Sequence, residues 1–195
     1  MLVIACAMLS ATANPPMLSA KEKAKIEKEV LKEAKKTSKE LKKEGWKIEQ
    51  TGQMESVIAR HMMKVKTEGL EELIGTAFGK KNLSICRKII LSNVSLEYAT
   101  KLRQVIKGGM ANKDNLADGA ETEDKVGNYE SRIATEIAGE LLESYSVYRR
   151  NSNGSFDMEI HYLISPDRAR AAKKHAELEY EKEFRKSVHD AVEGN

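Results

Sequence analysis

The chain has 195 residues, enough for one domain with a hydrophobic core and helical extensions. Charged residues make up 32% of it and aromatic residues only 5%, which favours long solvated helices around a modest core. The 33 basic and 30 acidic residues are mixed along the chain. Because a nucleic-acid-binding protein usually clusters its basic residues on one face, we expect no nucleic-acid partner.

The first 20 residues carry no charge, and this segment indicates export. Residues 1–13 form an apolar run that ends in Ala11-Thr12-Ala13, the small-residue pattern found before the cleavage site of a secretory signal peptide. The run lacks a basic n-region, which favours a signal peptide that is truncated at its start. It is too short to span a bilayer, which needs about 20 apolar residues. We therefore predict a signal peptide over 1–13 and a periplasmic or outer-membrane-associated protein. The alternative is a frayed apolar N-terminus on a cytosolic protein.

The sequence contains two cysteines in different settings. Val3-Ile4-Ala5-Cys6 is similar to a lipobox, in which Cys6 would be acylated and would anchor the chain to a membrane. Cleavage after Ala13 and lipidation at Cys6 are both alternatives for the processing of the N-terminus. We expect the protein to contact a membrane only if Cys6 is lipidated. Cys86 lies among apolar residues of a predicted helix, so we expect a buried and unreactive thiol.

Hydrophobic spacing predicts helices along the first half of the chain. Residues 21–44 are highly charged, but their apolar residues recur near helical spacing. A second helix is predicted over 54–65, and a strand over 70–78 follows it. Asn82 is a candidate N-cap for the longest apolar helix, 83–106, which we expect at the centre of the core.

The second half of the chain changes from helical spacing to alternation. Residues 107–118 are rich in glycine and polar side chains, and they predict a flexible loop that is the best local candidate for a contact site. A helix is predicted over 121–143. Across 145–164, apolar residues recur at every second position around an Asn-Ser-Asn-Gly-Ser turn, which predicts a β-hairpin. A serine and a proline then open a final helix over 166–192.

These elements predict a single α+β domain over residues 14–195. A small antiparallel sheet, made of one strand plus the C-terminal hairpin, would be covered by long amphipathic helices. The helices over 21–44 and 166–192 would extend this domain at its N- and C-terminal ends. The sequence shows no internal repeat and no second domain boundary.

Four segments carry a resemblance to a known group of proteins. They are the lysine-rich stretch Lys39–Lys47 closing on Gly45-Trp46, the strand Ile74-Gly75-Thr76-Ala77, the helix positions Cys86, Ile90, Val94 and Ala99, and the hairpin from Tyr148 to Tyr162. Through them the chain resembles uncharacterised exported proteins from Bacteroidetes, which are similar to LPP-twenty-type envelope lipoproteins and to the N-terminal domain of the flagellar assembly protein FlgT. The resemblance covers most of 21–165. It implies envelope localisation and a small sheet covered by helices, and it supplies no catalytic residues.

No linear motif for catalysis or cofactor binding occurs in the sequence. The four histidines lie outside any HExxH-type metal signature, and GxSxG, P-loop and GxGxxG motifs are absent. His161 is out of phase with the apolar residues of the hairpin, so we expect it on a solvent-facing side. We expect a solvated contact between His175 and Glu179, and we expect Glu71-Glu72 to be ordinary surface acids. We therefore predict no catalytic residue, no cofactor, no metal site and no enzyme activity.

The export signal, the missing catalytic motifs and the resemblance lead to one main hypothesis. It is a non-catalytic envelope protein that acts through protein–protein contacts, with other envelope proteins as partners. The alternative hypothesis is a module that binds a small ligand or glycan in a pocket between the hairpin and the helices.

Overall fold

The computed structural model describes residues 18–110 and 131–176, together with Leu178 and Lys182. The predicted signal peptide, Cys6 and parts of two predicted helices, 121–130 and 183–192, lie outside the described residues. In chain order the elements are α1 (Ala20–Lys43), β1 (Lys47–Ile48), α2 (Met54–Glu68), β2 (Glu71–Lys80), α3 (Leu83–Met110), α4 (residues 131–140), β3 (Leu142–Arg150), β4 (Phe156–Ile164) and α5 (residues 166–176).

The α+β class is confirmed, and the sheet has one strand more than the sequence predicts. Its four strands are antiparallel and follow the order β1-β3-β4-β2. The predicted hairpin is present as β3 and β4, and β2 is the predicted separate strand. The additional strand β1 contains only Lys47 and Ile48, which pair with Tyr148 and Val147 of β3. Two residues are too few to show an alternating pattern in a sequence.

Local capping explains where two of the predicted helices begin. At the start of α1, the hydroxyl of Ser19 accepts a hydrogen bond from the Glu22 backbone N–H, and the Glu22 carboxylate accepts one from the Ser19 backbone N–H. This reciprocal pair is a capping box. The predicted N-cap Asn82 is confirmed, since its Oδ1 accepts a hydrogen bond from the Ile85 N–H at 2.9 Å.

Two predicted boundaries are wrong. Helix α3 continues to Met110, so the first residues of the predicted loop 107–118 are helical, while 111–118 lie outside the described residues. The helix predicted over 121–143 has already ended when β3 begins at Leu142. Leu142 pairs with Leu163 in β4, so strand pairing across the sheet outweighs the local helical pattern at this point.

Helix α3 covers one face of the sheet, which we call the α3 face. A buried apolar cluster fills this interface, formed by Ala77, Cys86, Ile90, Val94, Met158, Ile160 and Tyr162. Helices α4 and α5 join α3 in a second buried cluster beside the end of β4. Its members are Tyr98, Ala99, Ile133, Ile137, Ile164, Ala169, Ala172 and Ala176. The prediction that helix α3 lies in the core is therefore confirmed.

Helices α1 and α2 pack against each other and cover part of the opposite face, which we call the α2 face. Their cluster with the sheet contains Val30, Ala34, Trp46, Met54, Val57, Ile58, Ala59, Tyr145 and Val147. They cover β1 and β3, and α2 also reaches His161 of β4, whereas β2 keeps exposed apolar side chains on this face. None of the described helices has both the length and the apolar character needed to cross a lipid bilayer.

Candidate functional site

A buried polar cluster lies where α2 meets the sheet on the α2 face. It joins His61 from α2, Glu72 from β2 and His161 from β4. His61 Nε2 lies 2.7 Å from Glu72 Oε1, and His161 Nδ1 lies 2.6 Å from the same oxygen. Both histidines are buried, at 3% and 7% exposure, while the Glu72 side chain is 32% exposed. Two imidazole nitrogens and one carboxylate oxygen thus converge on a point that solvent reaches from the side of Glu72.

Aromatic packing holds the two histidine rings in place. Tyr145 stands directly opposite His161 in the β3–β4 pairing, and the two rings stack with centroids 4.0 Å apart and an interplanar angle of 14°. The His61 ring meets Tyr145 edge to face at 5.0 Å, and its Nδ1 is buried without a hydrogen-bond partner among the described residues. Packing therefore fixes His61, because only its Nε2 is held by a hydrogen bond.

A second carboxylate holds the other nitrogen of His161. Its Nε2–H donates to Glu159 Oε1 at 2.8 Å, so each ring nitrogen of His161 faces a carboxylate oxygen. An ionised carboxylate only accepts hydrogen bonds, so this arrangement favours the doubly protonated imidazolium. Burial alone lowers the pKa of His161, but its hydrogen bonds to Glu159 and Glu72 outweigh burial and raise the pKa.

Glu72 carries a negative charge at the centre of the cluster. Burial alone raises the pKa of its carboxyl group, but the hydrogen bonds from His161 and His61 prevail and lower the pKa to about 2. The pKa of the Tyr145 phenol, in contrast, is raised by burial and by the nearby charges of Glu72 and Glu159. Glu72 is therefore the ionised group that both histidines contact.

A different polar cluster lies between α3, β3 and the segment that follows β1. Arg87 donates from Nη1 to Glu143 Oε2 at 2.5 Å and from Nη2 to Glu49 Oε2 at 2.6 Å. Ser146 donates its hydroxyl proton to Glu49 Oε2 at 3.0 Å. The hydrogen bond with Glu143 raises the pKa of Arg87; burial opposes this rise, and Glu49 adds to it. These ionic hydrogen bonds fasten α3 to β3 and to the segment after β1, which is a structural role.

The structure corrects two sequence-based expectations about this region. His161 was expected on a solvent-facing side of the hairpin, and this is wrong because α2 covers the face towards which His161 points. Glu72 was expected to be an ordinary surface acid, but it accepts hydrogen bonds from two buried histidines. Its neighbour Glu71 accepts a hydrogen bond from the Tyr98 hydroxyl at 2.6 Å.

Other predicted positions have simpler outcomes. Cys86 is fully buried with a free thiol, as predicted, and burial raises its pKa. His175 lies 3.2 Å from Glu136 of α4, while its predicted partner Glu179 lies outside the described residues. One signal for the polar cluster is present in the sequence. His61 follows Val57 and Ile58 at helical spacing, which places it on the buried face of α2.

The described part of the chain also has exposed apolar side chains and a shallow surface depression. On the α2 face, Ile74 and Phe78 of β2 are exposed by 51% and 56%. On the outer side of α3 lies a shallow depression lined by Asn93, Leu96, Glu97, Thr100 and Lys101. This depression is not between the hairpin and the helices, where the alternative hypothesis expected a ligand pocket.

No family model matches the chain, and neither a curated protein nor a solved structure matches it.

Proposed function

We propose that the chain is a non-catalytic exported envelope protein that acts through protein contacts, and that these contacts form along the edge of its sheet. Export is supported by the uncharged apolar segment over residues 1–13, and an envelope location by the resemblance to LPP-twenty-type lipoproteins. The contact surface is supported by one observation in particular, the exposed outer strand β2.

Strand β2 lies at the end of the sheet order, so it pairs with β4 on one side and with no other described strand on its second side. Its ten residues run from Glu71 to Lys80, and Ile74 and Phe78 expose large apolar side chains on the α2 face. An edge strand with free backbone groups and exposed apolar side chains is a template for pairing with another strand.

The partner strand that fits this edge is β2 of a second copy. In an antiparallel pair centred on Thr76, Ile74 of one copy lies opposite Phe78 of the other, on the same face of a continuous sheet. The acidic start of the strand, Glu71 and Glu72, then runs beside the basic end of its partner, which is Lys80 of the second copy's β2 and the next residue, Lys81. Both the apolar and the charged residues are thus self-complementary, as a two-fold interface requires.

The proposal predicts a dimer that one surface substitution dissociates. In light scattering after size-exclusion chromatography, the unaltered chain is expected at twice its 21.8 kDa mass. Ile74→Lys is expected at the monomer mass, because it places a charge against the partner's Phe78 at the centre of the interface.

Leu96→Lys is the matched control, since Leu96 is exposed to a similar extent, 47%, but lies on the outer side of α3. It is expected to leave the dimer intact. A monomeric unaltered chain at micromolar concentration, or equal dissociation by Leu96→Lys and Ile74→Lys, contradicts pairing through β2.

Mass spectrometry of the chain isolated from its native host separates the two forms of export. A mature chain beginning at Asn14 supports cleavage after Ala13, and an acyl group on Cys6 supports lipidation. An intact N-terminus without acylation contradicts the export part of the proposal.

A further inference from the structure

We propose that His61, Glu72 and His161 bind one divalent transition-metal ion of the zinc class. Their three candidate ligand atoms all lie within 4.8 Å of one another, and they come from α2, β2 and β4. Two imidazole nitrogens and one carboxylate oxygen form a donor set that Zn²⁺ uses in proteins. This inference is argued from other observations than the self-association through β2, although Glu72 takes part in both.

Only a small movement converts the hydrogen-bonded cluster into a coordination site. In a tetrahedral site with bonds of about 2.0–2.1 Å, the ligand atoms lie about 3.3 Å apart. The Glu72 oxygen lies 2.6 Å from His161 Nδ1, so it would withdraw by about 0.7 Å. Glu72 has room to do so because its side chain is 32% exposed.

Glu159 supports this assignment from outside the ligand set. A histidine that binds a metal usually donates its second N–H to a carboxylate or a backbone carbonyl, which fixes its tautomer and ring orientation. His161 donates Nε2–H to Glu159 Oε1 at 2.8 Å, and this bond directs Nδ1 towards Glu72 and the ion. Stacking on Tyr145 holds the same ring in its plane.

Three protein ligands leave the fourth position of a tetrahedral ion to solvent, on the exposed side of Glu72. Such a site accepts Zn²⁺ from solution without opening the core, because the carboxylate moves on its exposed side and the two ligand nitrogens release to solvent the protons that they donate to Glu72. In the absence of metal, the hydrogen bonds from the two histidines to Glu72 occupy the same three atoms and preserve the geometry.

The test titrates ZnCl₂ into the metal-free full chain and measures the heat of binding by isothermal titration calorimetry. We expect one ion per chain, bound with a Kd below the chain concentration. Glu72→Gln is expected to weaken binding by at least about 100-fold, since losing even an outer-shell partner costs 10–100-fold. Binding of Co²⁺ at the same site is expected to give the intense visible absorption of a tetrahedral ion, which Glu72→Gln removes.

Glu71→Gln is the matched control, because Glu71 is the adjacent acid and contacts Tyr98 instead of the histidines. It is expected to leave zinc affinity unchanged, as is His175→Gln, which removes an exposed imidazole next to Glu136. Glu159→Gln keeps all three ligands and is expected to weaken binding about 10-fold. This variant keeps the proposal testable if Glu72→Gln fails to fold.

Absence of zinc binding by the unaltered chain would overturn the proposal, and the cluster would then be a hydrogen-bonded structural network. Equal zinc affinities of Glu71→Gln and Glu72→Gln would also overturn it, because the ion would then be bound elsewhere on the surface.

Discussion

At the scale of single residues, Gly75 determines how closely α3 approaches the sheet. A Cβ atom at this position would collide with Ile90 Cγ2 and would lie 2.6 Å from Val94 Cγ2. Ile90 and Val94 are large side chains, and they pack against β2 because Gly75 leaves space for them. Glycine within a strand often marks such a close approach of another element.

We predict that Gly75→Ala destabilises the protein by about 1–3 kcal/mol, the usual cost of overpacking a core. Gly139→Ala is the matched control, since a Cβ at Gly139 in α4 meets no atom within 4 Å and alanine favours a helix. Urea unfolding measures the free energy of unfolding of both variants. Adding Val94→Ala to the Gly75→Ala variant is expected to restore part of the lost stability. Equal stability of Gly75→Ala and Gly139→Ala would contradict this account of the interface.

The residues of the candidate metal site show what the sequence leaves undetermined at this scale. His61, Glu72 and His161 form no linear motif, because 11 residues separate the first two and 89 separate Glu72 from His161. Helical spacing on α2 is a signal that would have placed His61 on the buried face, although no such prediction was made, and alternation in the hairpin predicts the wrong environment for His161. An alternating pattern identifies which residues share a face, and it does not show whether that face is covered.

At the scale of elements, Asp157 joins the hairpin to β2. This carboxylate is 5% exposed and accepts hydrogen bonds from Asn151 in the turn, from the Gly79 backbone N–H and from Arg149. Gly79 has φ +66° beside an irregularity in the β2–β4 register, a conformation that suits glycine. One acid therefore fixes both the hairpin turn and the end of β2.

Stability is predicted to depend on pH through Asp157. Burial alone raises its pKa, but the hydrogen bonds from Asn151, Gly79 and Arg149 prevail and lower the pKa below the usual range of an aspartate. Because the folded pKa is lower than the unfolded one, Asp157 stabilises the fold above about pH 4, and this contribution is lost as pH falls through the folded pKa. Asp157→Asn is therefore expected to be less stable than the unaltered chain at pH 7, and the difference should narrow on acidification.

Urea unfolding from pH 7 down to pH 3 measures this dependence. Asp167→Asn is a suitable control, since the Asp167 side chain is 87% exposed. A constant stability difference between Asp157→Asn and the unaltered chain across this range would contradict the assigned role.

Most elements were predictable because they depend on local spacing and capping. The periodicity of apolar residues predicts helices α1, α2 and α3 and both strands of the hairpin. The preference of asparagine for the N-cap position predicts the role of Asn82 at the start of α3. The elements that the sequence misjudged depend on pairing with distant residues. Strand β1 exists through its pairing with β3, and β3 begins at Leu142 through its pairing with Leu163.

At the scale of the whole molecule, helices cover the two faces of the sheet to different extents. Helix α3 lies along β2 and β4 on one face, whereas α1 and α2 cover β1 and β3 on the other, and α2 also reaches His161 of β4. This uneven covering buries the polar cluster under α2 and leaves Ile74 and Phe78 of β2 exposed. The candidate metal site and the proposed contact surface therefore have one cause, which is that α2 covers only part of this face of the sheet.

Pairing of β2 with a second copy is tested most directly by cross-linking at Thr76. The proposed two-fold axis places Thr76 opposite its own copy, with Cβ atoms about 4.5–5.5 Å apart, close to disulfide geometry. In a Cys6→Ser chain, where Cys86 is buried, Thr76→Cys is expected to form an intermolecular disulfide rapidly under mild oxidation. Thr100→Cys, on the outer side of α3, is expected to remain reduced. Equal rates of disulfide formation in the two variants would contradict pairing through β2.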